Sequence, residues 1–344
     1  MNVVLHHTNI RIPFVRSALG KLLPDTAIRF FFWTGDYSVK IFFVISGFLI
    51  TTSILAHWGA LTAVDVRDFY RRRFARIVPS LLALLAILSV LELLRVPGFT
   101  IAAGRASLPR ALLAAFTLHL NWLEAKTGYL PGAWDVLWSL SVEEAFYLAY
   151  PLLGRFGGRK ILTGVAAALI LAGPFGRTKL AFNDIWSDYS YLSGMDAIAL
   201  GCIAALISRE FQPTSGVRWL LRTGGTALAL CVLFRKVARV LGLLNTGLDV
   251  TVLAIGVVLI LLSIGANTGR RFLQPVQWFG RNSYEVYLTH MFVVTTAAQL
   301  FVRLGSPINY APVWFVSTLV LSGLLGHAVA KLYSSPCNRA LTRG

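Results

Sequence analysis

What most constrains this chain is that its apolar residues come in runs rather than in a helical or strand rhythm. They persist for about 17 to 25 positions at a time, the length that carries a helix across a hydrocarbon slab at 1.5 Å per residue. After a short apolar opening at Met1–Leu5, the first full run is Lys40–His57, built on IFFVISGFLI. The next opens at Pro79 and continues to about Leu94. Others occupy 108–123, 138–154, 161–175, 191–208, 219–234, 248–266, 283–302 and 312–333. They exceed strand length and lack internal turn signals, so the expected class is all-α, a polytopic transmembrane helix bundle. Composition agrees: 56% of residues are hydrophobic and 14% charged, against roughly 25% charged in soluble domains. No internal repeat is visible, and the bundle consumes residues 1–344 as one domain, leaving no room for an appended soluble one.

Lysine and arginine outnumber aspartate and glutamate by 32 to 15, a net charge of +17. In a soluble chain such a surplus points to nucleic acid. Here the basic residues flank apolar runs, so retention on the cytoplasmic face explains them and nucleic acid is not expected as a partner. Placing Arg67–Arg76 inside puts residues 8–39 outside. Alternation from the C-terminus brings Arg155/Arg159/Lys160, Arg209/Arg218/Arg222, Arg270/Arg271 and Lys331/Arg339/Arg343 inside, with Arg235/Lys236/Arg239 as the exception. Both halves hold only if an even number of crossings separates Arg76 from Arg155, yet three apolar runs lie there. The short run 108–123, carrying His119 and Asn121, is therefore expected to be re-entrant or interfacial. About ten spans remain, with both termini cytoplasmic. Cys202, Cys231 and Cys337 have no spacing that suggests a disulfide or a metal site, and no cleavable signal peptide is legible before His6-His7.

Ionisable residues inside apolar runs are costly and mark function by default. The candidates are His6, His7, Glu143, Glu144, Asp196, Glu285 and His290; Glu92 and His327 read as structural. Glu143 and Tyr147 fall one turn apart on a single helix face, with Trp138 expected at a membrane boundary. Tyr284, Tyr287 and His290 recur every three residues as a polar stripe. In Phe69-Tyr70-Arg71-Arg72-Arg73-Phe74-Ala75-Arg76-Ile77-Val78-Pro79 the guanidinium forks suit a phosphorylated ligand, although an anionic-lipid patch is the simpler reading of the cluster alone.

Taken in order, FFVISGFLI (42–50), FYRRRFARIVP (69–79), WSLSVEEAFYLAYP (138–151), Met195-Asp196-Ala197 and SYEVYLTH (283–290) resemble the acyltransferase 3 family of integral membrane O-acyltransferases. Glycan O-acetylases belong to it, and the resemblance covers roughly residues 3–333. It implies that His7, with His6 as understudy, is the general base toward an acceptor hydroxyl. Glu143 would hold or stabilise that imidazole. Arg71, Arg72, Arg73 and Arg76 would bind the phosphates of an acyl-CoA donor at the cytoplasmic mouth. Ser46 and Gly47 match the family's SGFL turn, where the glycine permits close helix or ligand approach. Trp138, Tyr147, Asp196, Tyr287 and His290 are expected as substrate-contacting or supporting residues, and no metal is implied.

Two departures stand out. The family carries about a dozen more residues before the histidine, including an arginine, so the first span is expected to be too short to cross. That leaves a displaced start or a diverged, inactive relative as readings. Where the family has Gly-Val-Asp, this chain reads Ser38-Val39-Lys40, with Asp36 nearby. The function implied is transfer of an acyl group, acetyl first, from acyl-CoA to a hydroxyl of a carbohydrate or lipid-linked sugar, in the inner cell membrane and among its lipids. The rival class is a proton-coupled transporter in which His7, Glu143, Asp196 and His290 form a relay.

Overall fold

The computed structural model describes residues 1–264 and 274–342; Arg270, Arg271, Arg343 and the end of the 248–266 run lie outside them. Regular structure among the described residues is helical. Its helices include α1 (Asn2–Arg11), α2 (Gly35–Trp58), α3 (Val66–Leu93), α4 (Leu108–Phe116), α5 (Leu120–Thr127), α6 (Leu137–Arg177), α7 (Tyr191–Ser208), α8 (Ser215–Leu233), α9 (Asp249–Ser263), α10 (Ser283–Arg303) and α11 (Ala311–Val329).

Among the described residues, six helical stretches are long and apolar enough to cross a membrane: Gly35–Trp58, Val66–Leu93, Gly132–Arg177, Asp184–Ser208, Ser283–Arg303 and Ile308–Thr342. The chain is a multi-pass membrane protein, and these six stretches do not confirm the count of about ten spans. Local features separate the two counts. The runs 138–154 and 161–175 belong to one helical stretch, α6, broken at Gly158, whose φ of 60° and ψ of −165° is open to glycine and strained for other residues. The run 219–234 becomes α8, which carries Arg218, Arg222 and a Thr-Gly-Gly-Thr stretch. The run 248–266 yields the fifteen-residue α9. The segment 108–123 is α4 and α5, nine and eight residues long and joined through Leu118 at φ +58°. Neither reaches across a slab of about 30 Å. Helix α1, ten residues and about 15 Å, is likewise too short.

The arginine cluster sits in the first turns of a span rather than in a loop before it. Asp65 caps α3 by accepting from the Arg67 and Asp68 amides at 2.9 and 3.1 Å, so the helix begins thirteen residues before Pro79. At that end of the bundle Arg155 donates to the Thr62 carbonyl at 2.7 Å, Arg209 to the Gly59 carbonyl at 2.7 Å, and Arg159 pairs with Glu210 at 2.5 Å. Three basic clusters thus share one end, as alternation required. The exception, Arg235, lies at the other end, 3.8 Å from Asp36. Between the ends, α2 and α7 cross at backbone contact: a Cβ on Gly47 would strike the Ile198 carbonyl, and one on Gly201 the Val44 carbonyl. Gly47 therefore serves helix packing and not ligand approach.

Candidate active site

Three cavities follow one another through the bundle. At the basic end, a cavity of about 290 Å³ is lined by Ser46, Arg72, Arg73, Arg76, Glu143, Glu144 and Tyr147, among others. Phe42, Leu140, Glu143, Ser283 and Tyr284 belong both to it and to a central, largely apolar cavity of about 230 Å³. Ser139, Tyr287 and His290 also line the central cavity. His290 packs against His7, ring centroids 5.3 Å apart, and His7 faces a polar vestibule of about 680 Å³ at the opposite end. His6, Arg11, Asp36, Lys40, Asp135, Trp138 and Tyr189 share that vestibule.

At the basic cavity, Tyr147 donates to Glu143 Oε1 at 2.9 Å, as their one-turn spacing predicted, and Ser46 donates to the same carboxylate oxygen. The Arg73 guanidinium stacks on the Tyr147 ring at 3.9 Å and donates to Glu144 at 3.3 Å, with Glu143 at 3.9 Å. Its Nε is buried without a partner among the described residues. Arg71 and Arg72 both turn to Asp68 at 2.7 Å. Arg71 does not line the cavity; Arg72, Arg73 and Arg76 do.

At the vestibule, His6 donates from Nδ1 to the Phe32 carbonyl at 3.1 Å and lies edge-on to Trp33. Gly35 is required beneath it, since a Cβ there would come within 2.5 Å of the His6 ring. Lys40, at the position where the family has aspartate, is buried, with Nζ on the Asp188 and Ser193 carbonyls at 2.8 and 3.2 Å and over the Trp138 ring at 5.1 Å. The ammonium is satisfied by backbone oxygens instead of a carboxylate.

Three expectations are corrected. Glu143 and His7 line different cavities, so the carboxylate does not hold that imidazole; α1 is placed against α10, which makes His290 the neighbour. Trp138 is buried and stacks on Tyr189 at 4.2 Å with planes 7° apart, making it a vestibule wall and not a membrane boundary. Asp196 is fully buried against Arg177 at 2.8 Å and Thr251 at 2.9 Å and faces none of the three cavities. Its role is structural, which also removes it from a proton relay. The stripe on α10 holds: Tyr287 bonds Ser139 at 2.7 Å and the Val136 carbonyl at 2.9 Å, beside His290.

Sequence reasoning missed Arg177, Asp135 and Glu124. Arg177 ends an apolar run and reads there as a flanking charge. Asp135 lies on the short helix Gly132–Asp135, where Tyr189 donates to it at 3.0 Å. Glu124, on α5, is wholly buried; desolvation, with the Asp135 carboxylate beside it, pushes its carboxyl well above the ordinary range. The signal available for both was an acidic residue close to a tryptophan, Trp122 two positions before Glu124 and Trp134 next to Asp135.

The acyltransferase domain family model matches residues 1–327. Among curated relatives, the chain is 23% identical to the O-acetyltransferase OatA of Staphylococcus aureus over 334 residues, 89% of this chain and 53% of the relative. It is 26% identical to the peptidoglycan O-acetyltransferase OatA of Listeria monocytogenes over 296 residues, 76% of this chain and 45% of the relative. It is 28% identical to the acyltransferase MdmB of Streptomyces mycarofaciens over 353 residues, 92% of this chain and 84% of that protein. The chain spans about half the length of the OatA proteins. No solved structure matches it. With the match running through every motif and through the helices that enclose the cavities, the chain belongs to the acyltransferase 3 family of acyltransferase domains.

Proposed function

We propose that the chain is an O-acyltransferase of the inner cell membrane that moves an acyl group, acetyl first, from acyl-CoA to a hydroxyl of a carbohydrate or lipid-linked sugar. One observation carries the reading: a guanidinium-lined cavity and a histidine-lined polar vestibule flank a single apolar cavity. Arg72, Arg73 and Arg76 suit the phosphates of the donor on the cytoplasmic side. The apolar middle suits its pantetheine arm and thioester. The vestibule, with the Trp138–Tyr189 stack and hydrogen-bonding groups, suits a sugar.

His7 takes the acceptor's proton as its oxygen bonds to the thioester carbonyl carbon; the carbon–sulfur bond breaks, and the leaving thiolate recovers the proton from His7 as free CoA thiol. Transfer is direct, in a ternary complex. The O-acetyltransferase names of the relatives support the reaction class, and the contacts of Ser334 and Tyr333 with Ser80 and Pro79 favour a cytoplasmic C-terminus.

The test supplies radiolabelled acetyl-CoA to membranes with and without the chain. Label entering the glycan or glycolipid fraction only when the chain is present is the expected result; incorporation no greater than in the control membranes contradicts the reading.

A further inference from the structure

His290 has no part in the reaction as described, yet it is fully buried. Its Nδ1 lies 2.7 Å from the Tyr287 carbonyl. A carbonyl oxygen only accepts, so Nδ1 carries the hydrogen and Nε2 of the neutral ring is left with a lone pair. That Nε2 is buried and has no partner among the described residues. The neighbouring imidazole is His7, with centroids 5.3 Å apart. The two rings make no hydrogen bond in the structure, but they lie close enough for one to form on a small rotation of the His7 ring. The contact lies where the apolar cavity meets the vestibule.

We propose that His290 positions His7 by accepting its ring N–H at Nε2, which fixes the His7 tautomer and turns the other His7 nitrogen, with its lone pair, toward the vestibule. The inference rests on the reading of His7 as the base and replaces Glu143 as the group that orients it. The logic is that of any orienting partner of a catalytic imidazole: the tautomer is set by what the far nitrogen touches. The chain of bonds is Tyr287 carbonyl, His290, His7 and then the acceptor hydroxyl, and three of its members lie on α10 and α1, which pack together. Tyr287 is itself held by Ser139 and the Val136 carbonyl, so the relay is anchored on α6.

The experiment reads His7 directly and needs no acceptor. The purified full chain is treated with diethyl pyrocarbonate at fixed pH, and carbethoxylation of each histidine is followed by peptide mass spectrometry, with half-exposed His57 at the basic end as reference. His290→Met removes the acceptor and is expected to slow His7 modification about tenfold, the worth of one hydrogen bond. His290→Gln retains an acceptor oxygen and is expected to stay within about twofold of wild type. In both variants His57 reacts at the wild-type rate. A His7 rate unchanged in His290→Met, or falling alike in both variants, or falling together with His57, overturns the proposal. Failure of the underlying reading has a separate signature, acetyl transfer that survives His7→Ala.

Discussion

Two arginine–carboxylate clusters, one buried and one partly exposed, divide this molecule, and they are built to opposite ends. In the first, Arg177 donates from Nε to the Gly247 carbonyl at 2.7 Å, from Nη1 to the Ser193 carbonyl and Asp196 at 3.0 and 3.1 Å, and from Nη2 to Asp196 and Thr251 at 2.8 Å each. All five guanidinium hydrogens are used. In the second, Arg73 makes one hydrogen bond, to Glu144 at 3.3 Å, leaves Nε unpartnered and stacks on Tyr147 beside an open cavity. A saturated cluster holds helices in register; an unsaturated one facing a cavity keeps capacity for a ligand.

The sharpest way to break this contrast is Arg177→Met. It strands the Asp196 carboxylate in the core, for a cost of about 3–5 kcal/mol. Folded yield and thermal stability in detergent should collapse, and Asp196→Leu in the same chain should recover most of the loss. A stable single variant would show the cluster to be dispensable. Arg73→Met should leave the chain folded yet lower kcat/KM for acetyl-CoA about a hundredfold, the cost of roughly two charge-assisted contacts. Unfolding of that variant would place Arg73 with Arg177.

Smaller changes sharpen the picture. Gly47→Ala pushes a methyl into the Ile198 carbonyl and should cost about 1–3 kcal/mol of stability, read from the melting temperature; an unchanged melt would mean that α2 and α7 separate easily. Arg76→Ala should raise the donor KM about tenfold, while Arg71→Ala, tied to Asp68 outside the cavity, should leave it within about twofold. Equal effects would show that net charge, and not the cavity lining, holds the donor. Glu124→Gln should change activity least, because burial raises the carboxyl and favours its neutral form; a large loss would require it to ionise in the working cycle.

The legible part of the fold was what local chemistry dictates. Apolar runs announced the spans, and the count of basic residues announced that 108–123 cannot cross, which the short α4 and α5 bear out. Spacing on one helix was equally readable: Glu143 and Tyr147 meet as a turn requires, and the Tyr287–His290 stripe faces a cavity. What failed was every statement about which helix faces which. Glu143 and His7 are each in plausible company, but the placement of α1 against α10 and of α6 against α2 decides their partners, and no periodicity encodes it. Arg177 was invisible for the same reason. An arginine at the end of an apolar run looks like a topology signal until α7 and α9 deliver Asp196 and Thr251 to it.

The central claim is that His7 at the vestibule performs the proton transfer in an acyl-transfer reaction, and the most direct measurement compares wild type and His7→Ala for labelled acetyl moved from acetyl-CoA into membrane glycans at matched protein levels. The account predicts a loss of at least about a hundredfold in the variant, with donor KM unchanged. Turnover within a fewfold of wild type would contradict it.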